Sequence, residues 1–300
     1  DPLFIGEVTL SEGDNYELQI TEDINRPFDL SSEYPLRVKF YRIPSDGEER
    51  IILMVNIHHI ASDGWSSEIF QRELFLYYEA YERNDMGFRL PPLEIQYRDY
   101  ALWQRSYLSG SLLEEQLGYW KSKLSGYQTL NFPTDYVRPS SIDYNGSREG
   151  FTLSREVSDR LRALAKENKV TLHSILLSAT AVLLSKYTGQ EDIVIGSPTA
   201  NRQYRQTEGL IGFFVNMQVN RVLLKRSQDF ESLLRDVHQD QISAQLYQDL
   251  PFEKLVDELN VDRDTSRHPI FQVSFVTQSF VDNKTIRQQK QYFKMCWNHD

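Results

Sequence analysis

His58-His59-Ile60-Ala61-Ser62-Asp63-Gly64 sets an ionisable ring, a carboxylate and a glycine within seven residues. Those types at that spacing suit acyl transfer. An imidazole, with a pKa near ~6.5, is largely neutral at cell pH and can take a proton from an attacking nucleophile. Adjacent strand residues face opposite sides, so His58 and His59 are expected to do different jobs, one packing and one facing a cavity. The competing reading of the heptapeptide is structural: a packed ring beside Asp63 acting as a helix cap.

These residues need elements that hold them. Ile51 to Ile57 is apolar on both alternating faces, which predicts a strand buried on both sides. After Gly64 the period becomes helical, with Phe70, Leu74, Tyr77, Tyr78 and Tyr81 on one side and Arg72, Glu79, Glu82 and Arg83 largely on the other. The heptapeptide therefore falls where a strand turns into a helix, a common place for active-site loops, and Gly64 is expected to supply backbone freedom or close approach there.

Further strands are predicted near Leu36 to Ile43, Arg148 to Leu153, Asp192 to Ile195, Gly212 to Val222 and Ile270 to Thr277. Helices are predicted near 66–83, 99–107, 112–124, 154–168, 171–188 and 230–246. The helix over 171–188 is apolar nearly all round and meets Gly189, which fits a core helix with a glycine C-cap. Pro133, Pro139, Ser140, Ser141 and Gly146 break periodicity over 131–145, which reads as a crossover between an N-terminal lobe, 1–130, and a C-terminal lobe, 146–300. Strand and helix alternate on both sides, so each half is expected to be a layered α/β sandwich.

The 300 residues are 40% hydrophobic with a net charge of -10, and clustered Lys and Arg of the kind nucleic acid requires are not evident. No apolar run is long enough to span a bilayer, no secretory signal opens the chain and a lone Cys296 precludes an internal disulfide framework, so the expectation is a cytoplasmic enzyme with neither nucleic acid nor membrane as partner. Six histidines and one cysteine show no zinc or iron ligand spacing, and neither GxxxxGK[ST] nor GxGxxG occurs. His173 lies on the buried helix, while His238 and His299 have no chemical neighbour in sequence.

Five separated segments together resemble the condensation domains of nonribosomal peptide synthetases. His58 to Gly64 matches HHxxxDG, Tyr97 to Gln104 is similar to YxDxAxWQ, and Gly212 to Asn216 is similar to GxFVN. Gln248 to Glu253 is similar to QDxPFE, and Arg263 to Gln272 to RDxSRxPxFQ. The resemblance runs from about Leu36 to Phe275, with the segment from Val281 to Asp300 outside it, so the chain reads as short of the family pattern at both ends.

The resemblance implies two chloramphenicol-acetyltransferase-like α/β sandwich lobes forming a V-shaped pseudo-dimer. It also implies peptide-bond formation between a carrier-bound acyl or peptidyl thioester and a carrier-bound aminoacyl amine. His59 is then either the base or the group that positions the amine. Gly64 offers a backbone N–H to the oxyanion, or turn geometry alone. His58 packs, Asp63 holds the loop through an arginine, with Arg202 the candidate, and Pro251-Phe252-Glu253 and Arg267-His268-Pro269 are architectural.

Trp65, Ser66 and Asn216 are candidate channel-lining residues, against a core-wall reading of Trp65 and a backbone-satisfying amide for Asn216. No cofactor binds directly; phosphopantetheine arms come from donor and acceptor carrier domains, beside an adenylation domain. Ser62, Trp65 and Ser66 around the motif resemble the subtype joining an L-configured donor to an L acceptor. The alternatives are a non-catalytic carrier-docking scaffold fragment and a stand-alone HxxxDG acyltransferase using a soluble acyl thioester.

Overall fold

The computed structural model describes residues 3–11, 13–45, 48–261 and 264–278. Arg263, Cys296, His299 and the segment from Val281 to Asp300 lie outside them. The chain forms two compact units: Asp1–Leu113 with Ala200–Asn216, and Glu114–Thr199 with Met217–Asp300. By contact, residues 114–130 group with the second unit and residues 200–216 with the first.

In the first unit, β1 (Ile5–Thr9) runs parallel to β2 (Leu36–Ser45), with Ile5 opposite Val38. β2 runs antiparallel to β3 (Glu48–Ile57), with Leu36 opposite Ile57. The helix α1 (Tyr16–Asn25) forms the crossover a parallel pair requires, and Asn15 caps it by accepting the Leu18 N–H at 3.1 Å. Buried Tyr41 on β2 donates to Asp23 at 2.6 Å, and the Asn56 side chain on β3 donates to the Ile24 carbonyl at 2.9 Å. These two bonds tie α1 to the sheet.

β1 and α1 were not among the elements read from the sequence; both are short, and α1 buries no residue completely. The expectation for β3 is corrected as well. Among the described residues it is an edge strand in the order β1-β2-β3, with Ile51 and Leu53 exposed and Met54 buried. Apolar character on both faces reported the residue types, not the coverage.

β3 feeds a 3-10 turn (His59–Ala61) and then α2 (Gly64–Glu82). Ile69 is buried, whereas Leu74, Tyr77, Tyr78 and Tyr81, on the apolar side read from the helical period, are exposed. Their side chains with Met86 and Phe88 line an open cavity of about 420 Å³. The unit also holds α3 (Tyr97–Tyr107), where Asp99 accepts the Gln96 N–H at 2.8 Å to close the helix start.

The second unit takes in most of α4 (Gly110–Lys123), then α5 (Arg155–Asn168), α6 (Leu172–Thr188), α7 (Phe230–Gln245) and α8 (Phe252–Glu258), with β4 (Asp192–Thr199) paired to β5 (Asn216–Leu223). Ile193, Val194 and Ile195 on β4 are wholly buried. Leu177, Ala181 and Leu184 of α6, Val222 of β5 and Leu233 and Val237 of α7 pack around Ile193 and Ile195. Side chains of that size each stabilise by about 1.5–3 kcal/mol when fully buried.

Ser154 and Thr171 cap α5 and α6, and Gly189 closes α6 in the left-handed conformation at φ 72°. One strip of α6, including Leu183 and Tyr187, is exposed. Segment 131–145 carries no helix or strand.

Two expected strands are corrected here. Residues 148–153 are irregular, with Phe151 exposed: an extended run is no strand without a partner for its backbone groups. The strand expected over 270–277 reduces to a parallel bridge of Ser274 to Gly196, with Gly196 N–H donating to Val273 at 3.0 Å and Phe275 N–H to Gly196 at 2.8 Å. Helix α8 was not read from the sequence. No single helix among the described residues is long and apolar enough to cross a membrane.

Candidate active site

The site is built where β3 ends. His58 is still extended, at φ -65° and ψ 139°, and its N–H donates to the Pro35 carbonyl at 2.9 Å, continuing the pairing with β2. Its Nδ1 accepts the Ile60 N–H at 3.0 Å, capping the 3-10 turn and fixing the ring. Phe28 lies edge-on to that ring at 5.6 Å, and the Arg37 guanidinium stacks on Phe28 at 3.8 Å. Arg37 is itself held by Glu33 at 2.7 and 3.0 Å and by the Arg26 and Pro27 carbonyls at 2.6 and 2.7 Å. His58 is thus one layer of a packed stack.

His59 opens the turn and is exposed. Its ring meets Phe213 edge-to-face at 5.2 Å, and among the described residues nothing hydrogen-bonds its ring nitrogens.

Asp63 is the N-cap of α2. One oxygen accepts the Ser66 N–H at 2.8 Å and the other the Phe214 N–H at 2.9 Å, while Arg202 Nη2 reaches both at 3.2 and 3.4 Å. The pair is buried, with 4% of the Asp63 side chain and 1% of the Arg202 side chain exposed. Burial pushes the Asp63 carboxyl up, but the hydrogen bonds from Ser66 and Phe214 and the Arg202 charge outweigh it and hold the group below the usual carboxylate range. Both Asp63 oxygens are thus taken up by Ser66, Phe214 and Arg202.

Arg202 does more than pair. It donates to the Thr207 and Leu210 carbonyls and, at 2.8 Å, to Ser66 Oγ, and it stacks 3.9 Å over Phe214. Burial draws its pKa down and Asp63 draws it back.

Ser66 corrects its expected place beside a channel. It is fully buried, and its hydroxyl donates to the Gly212 carbonyl at 2.9 Å and accepts the Gly212 N–H at 3.1 Å. Trp65 is half-buried with its indole N–H on the Glu208 carbonyl at 2.9 Å, and Asn216 is buried at the first residue of β5.

The freedom expected of Gly64 is also corrected. Its φ lies outside the left-handed range and a Cβ there would meet nothing within 4 Å. Gly64 is exposed as the first residue of α2, where N–H groups have no acceptor within the helix. The position that does require glycine is Gly212, whose added Cβ would lie 2.2 Å from Tyr97 Cδ2.

Three segments far apart in sequence meet in this unit. Tyr97 donates its hydroxyl to the Phe213 carbonyl at 2.7 Å, and Tyr97, Tyr100, Leu210 and Phe214 form one cluster with Ile95. Phe213 and the Phe28–Arg37 stack are the site neighbours that sequence reasoning missed. No spacing pointed to Phe28 or Arg37; the hint for Phe213 was its place between Gly212 and Phe214. In the second unit Phe252, His268 and Phe271 pack together at 4.9 to 5.9 Å, within the QDxPFE and RDxSRxPxFQ segments.

A mixed α/β unit with an exposed histidine at a strand-to-helix turn and a sealed aspartate four residues on defines the HxxxDG class of acyl-transfer folds. The Condensation domain family model matches residues 4–296, and the chain belongs to that family. The match extends the resemblance at both ends, beyond the range of about Leu36 to Phe275 expected from the motifs, and takes in most of the segment after Val281.

A linear gramicidin synthase polypeptide of Brevibacillus parabrevis is 46% identical over 259 residues, 86% of this chain and 5% of that protein. The chain thus spans about a twentieth of that curated relative. The X-domain from teicoplanin biosynthesis is similar at a TM-score of 0.81 and 27% identity, over 91% of this chain and 61% of that one. A four-domain nonribosomal peptide synthetase solved with AMP and glycine is similar at a TM-score of 0.80 and 25% identity, over 96% of this chain and 22% of that one. The fold is the chloramphenicol-acetyltransferase-like fold of condensation domains.

Proposed function

We propose that this chain catalyses amide-bond formation in nonribosomal peptide synthesis. The amine of a carrier-bound aminoacyl group attacks the thioester carbonyl of a carrier-bound donor. A C–N bond forms, the C–S bond breaks, the amine proton leaves and the departing thiolate is protonated. The observation that carries the reading is His59, exposed in the turn that follows β3 with no hydrogen bond to its ring nitrogens among the described residues, beside a loop pinned by Asp63.

His59 accepts or steers the amine proton, a role worth roughly 10²–10⁴-fold. The N–H of Gly64, the exposed first residue of α2, donates to the developing oxyanion, for which one such donor contributes about 3–4 kcal/mol. Asp63 and Arg202 hold the loop, His58 anchors the turn, and Trp65 and Asn216 border the path of the substrates. A thioester is already activated, so most of the remaining barrier is met by orienting the two tethered partners.

The partners are donor and acceptor carrier domains bearing phosphopantetheine, with an adenylation domain alongside, in the cytoplasm. The donor is L-configured. The lobes 1–130 and 146–300, joined by 131–145, belong to the same proposal.

The test supplies both carriers loaded with aminoacyl groups and reads dipeptidyl product by mass spectrometry. Product from the wild type and a loss of at least tenfold in His59→Ala are expected. Carrier binding without product in either protein would replace catalysis with docking, and product from a soluble acyl thioester alone would make the chain a stand-alone acyltransferase.

A further inference from the structure

We infer that Phe213 is a positioning residue for His59; the inference rests on the proposal that His59 meets the attacking amine. Phe213 occupies the variable place of the GxFVN segment and is 37% exposed. Burial therefore does not account for a large aromatic ring there.

Its backbone is fixed on three sides. The Phe213 carbonyl accepts the Tyr97 hydroxyl at 2.7 Å. Gly212 before it exchanges two hydrogen bonds with Ser66 Oγ, and Phe214 after it donates its N–H to Asp63 at 2.9 Å. From that pinned backbone the Phe213 ring reaches the His59 imidazole, at 5.2 Å between centroids and 89° between planes.

The chemistry explains an aromatic partner. A carboxylate beside His59 would hold the ring by occupying one nitrogen, whereas an edge-to-face contact restrains the ring plane and leaves both nitrogens open to the amine. Asp63 thus acts at a distance: it holds Phe214, and the held segment presents Phe213 to His59. A contact of this kind accounts for a rate difference of roughly two- to tenfold.

The test compares wild type with Phe213→Leu and Phe213→Tyr by two readouts. One is single-turnover condensation from preloaded carriers at varied acceptor-carrier concentration. The other is NMR of the histidine ring protons in ring-labelled protein, with the His59 signals assigned through His59→Gln. Phe213→Leu is expected to lower the saturating rate about two- to tenfold, to leave the half-saturating acceptor concentration unchanged, and to abolish the ring-current displacement of the His59 signals. Phe213→Tyr is expected to retain both.

His59 signals unmoved by Phe213→Leu would overturn the inference. So would a higher half-saturating concentration at an intact saturating rate, which makes Phe213 a wall of the acceptor path. If the wild type yields no product, the proposed activity fails, while the NMR comparison alone still decides whether Phe213 sets the His59 ring.

Discussion

Replacing Arg202 with methionine should destabilise the protein well beyond the loss of an exposed ion pair. Asp63 and Arg202 are 4% and 1% exposed at their side chains, so neither group recovers water when the other is lost. In Arg202→Met the Asp63 carboxylate keeps the Ser66 and Phe214 N–H groups, at 2.8 and 2.9 Å, but loses its counter-charge. The Thr207 and Leu210 carbonyls lose a donor at the same time. Breaking a buried pair this way costs about 3–5 kcal/mol, a large share of a total stability of about 5–15 kcal/mol. The second substitution is diagnostic. Adding Asp63→Asn to Arg202→Met removes the stranded charge while leaving an oxygen to cap the Ser66 N–H, and should return about 1–2 kcal/mol. Urea unfolding followed by tryptophan fluorescence measures both, since Trp65 lies 5.8 Å from the guanidinium. A loss under about 1 kcal/mol in the single variant, in the range of an exposed pair, or a double variant no more stable than Arg202→Met, would refute the electrostatic reasoning.

Three other outcomes follow from the same geometry. The Asp63 carboxyl sits below its unfolded value of about 3.9, so its stabilisation is complete above that pH and drains as pH falls through the lower folded value; urea midpoints between pH 6 and 3 should fall more steeply for wild type than for Asp63→Asn. Gly212→Ala places a methyl 2.2 Å from Tyr97 Cδ2, forcing the ring away from the Phe213 carbonyl. It should cost about 1–3 kcal/mol, and adding Tyr97→Ala should cost less than the two separate losses combined, as read by thermal unfolding. Lys123 is the contrasting case: burial draws its pKa down against the pull of Asp240, 2.7 Å away, and Asp240 is 35% exposed where Lys123 is 10% exposed. Lys123→Met lets that carboxylate hydrate, so its urea midpoint at pH 7 should correspond to a change of no more than about 1 kcal/mol.

Much of the site's local form was legible in the chain. The change from a continuous short apolar run to a helical period across His58–Gly64 located the turn, because side-chain patterning is a local property of strand and helix. Gly189 marked the C-terminal end of α6 for the same reason: a cap answers to backbone groups a few residues away. Coverage was not legible. The apolar residues of β3 and α2 include exposed Ile51, Leu53, Leu74 and Tyr81, since hydrophobicity records what a residue would bury and not what lies against it. Residues 148–153 have strand-like types and no strand, because a ladder needs a second backbone.

By itself the sequence determined which ionisable residues stand together, in what order, and at which turn of the chain. Tertiary structure alone decided which of them are engaged. It sealed Ser66, engaged both oxygens of Asp63 with partners up to 151 residues away, and set Phe213 against His59. Propensity and periodicity act over a few residues, whereas a buried charge, a shared hydroxyl and an edge-to-face ring exist only once distant segments have been brought within a few ångströms.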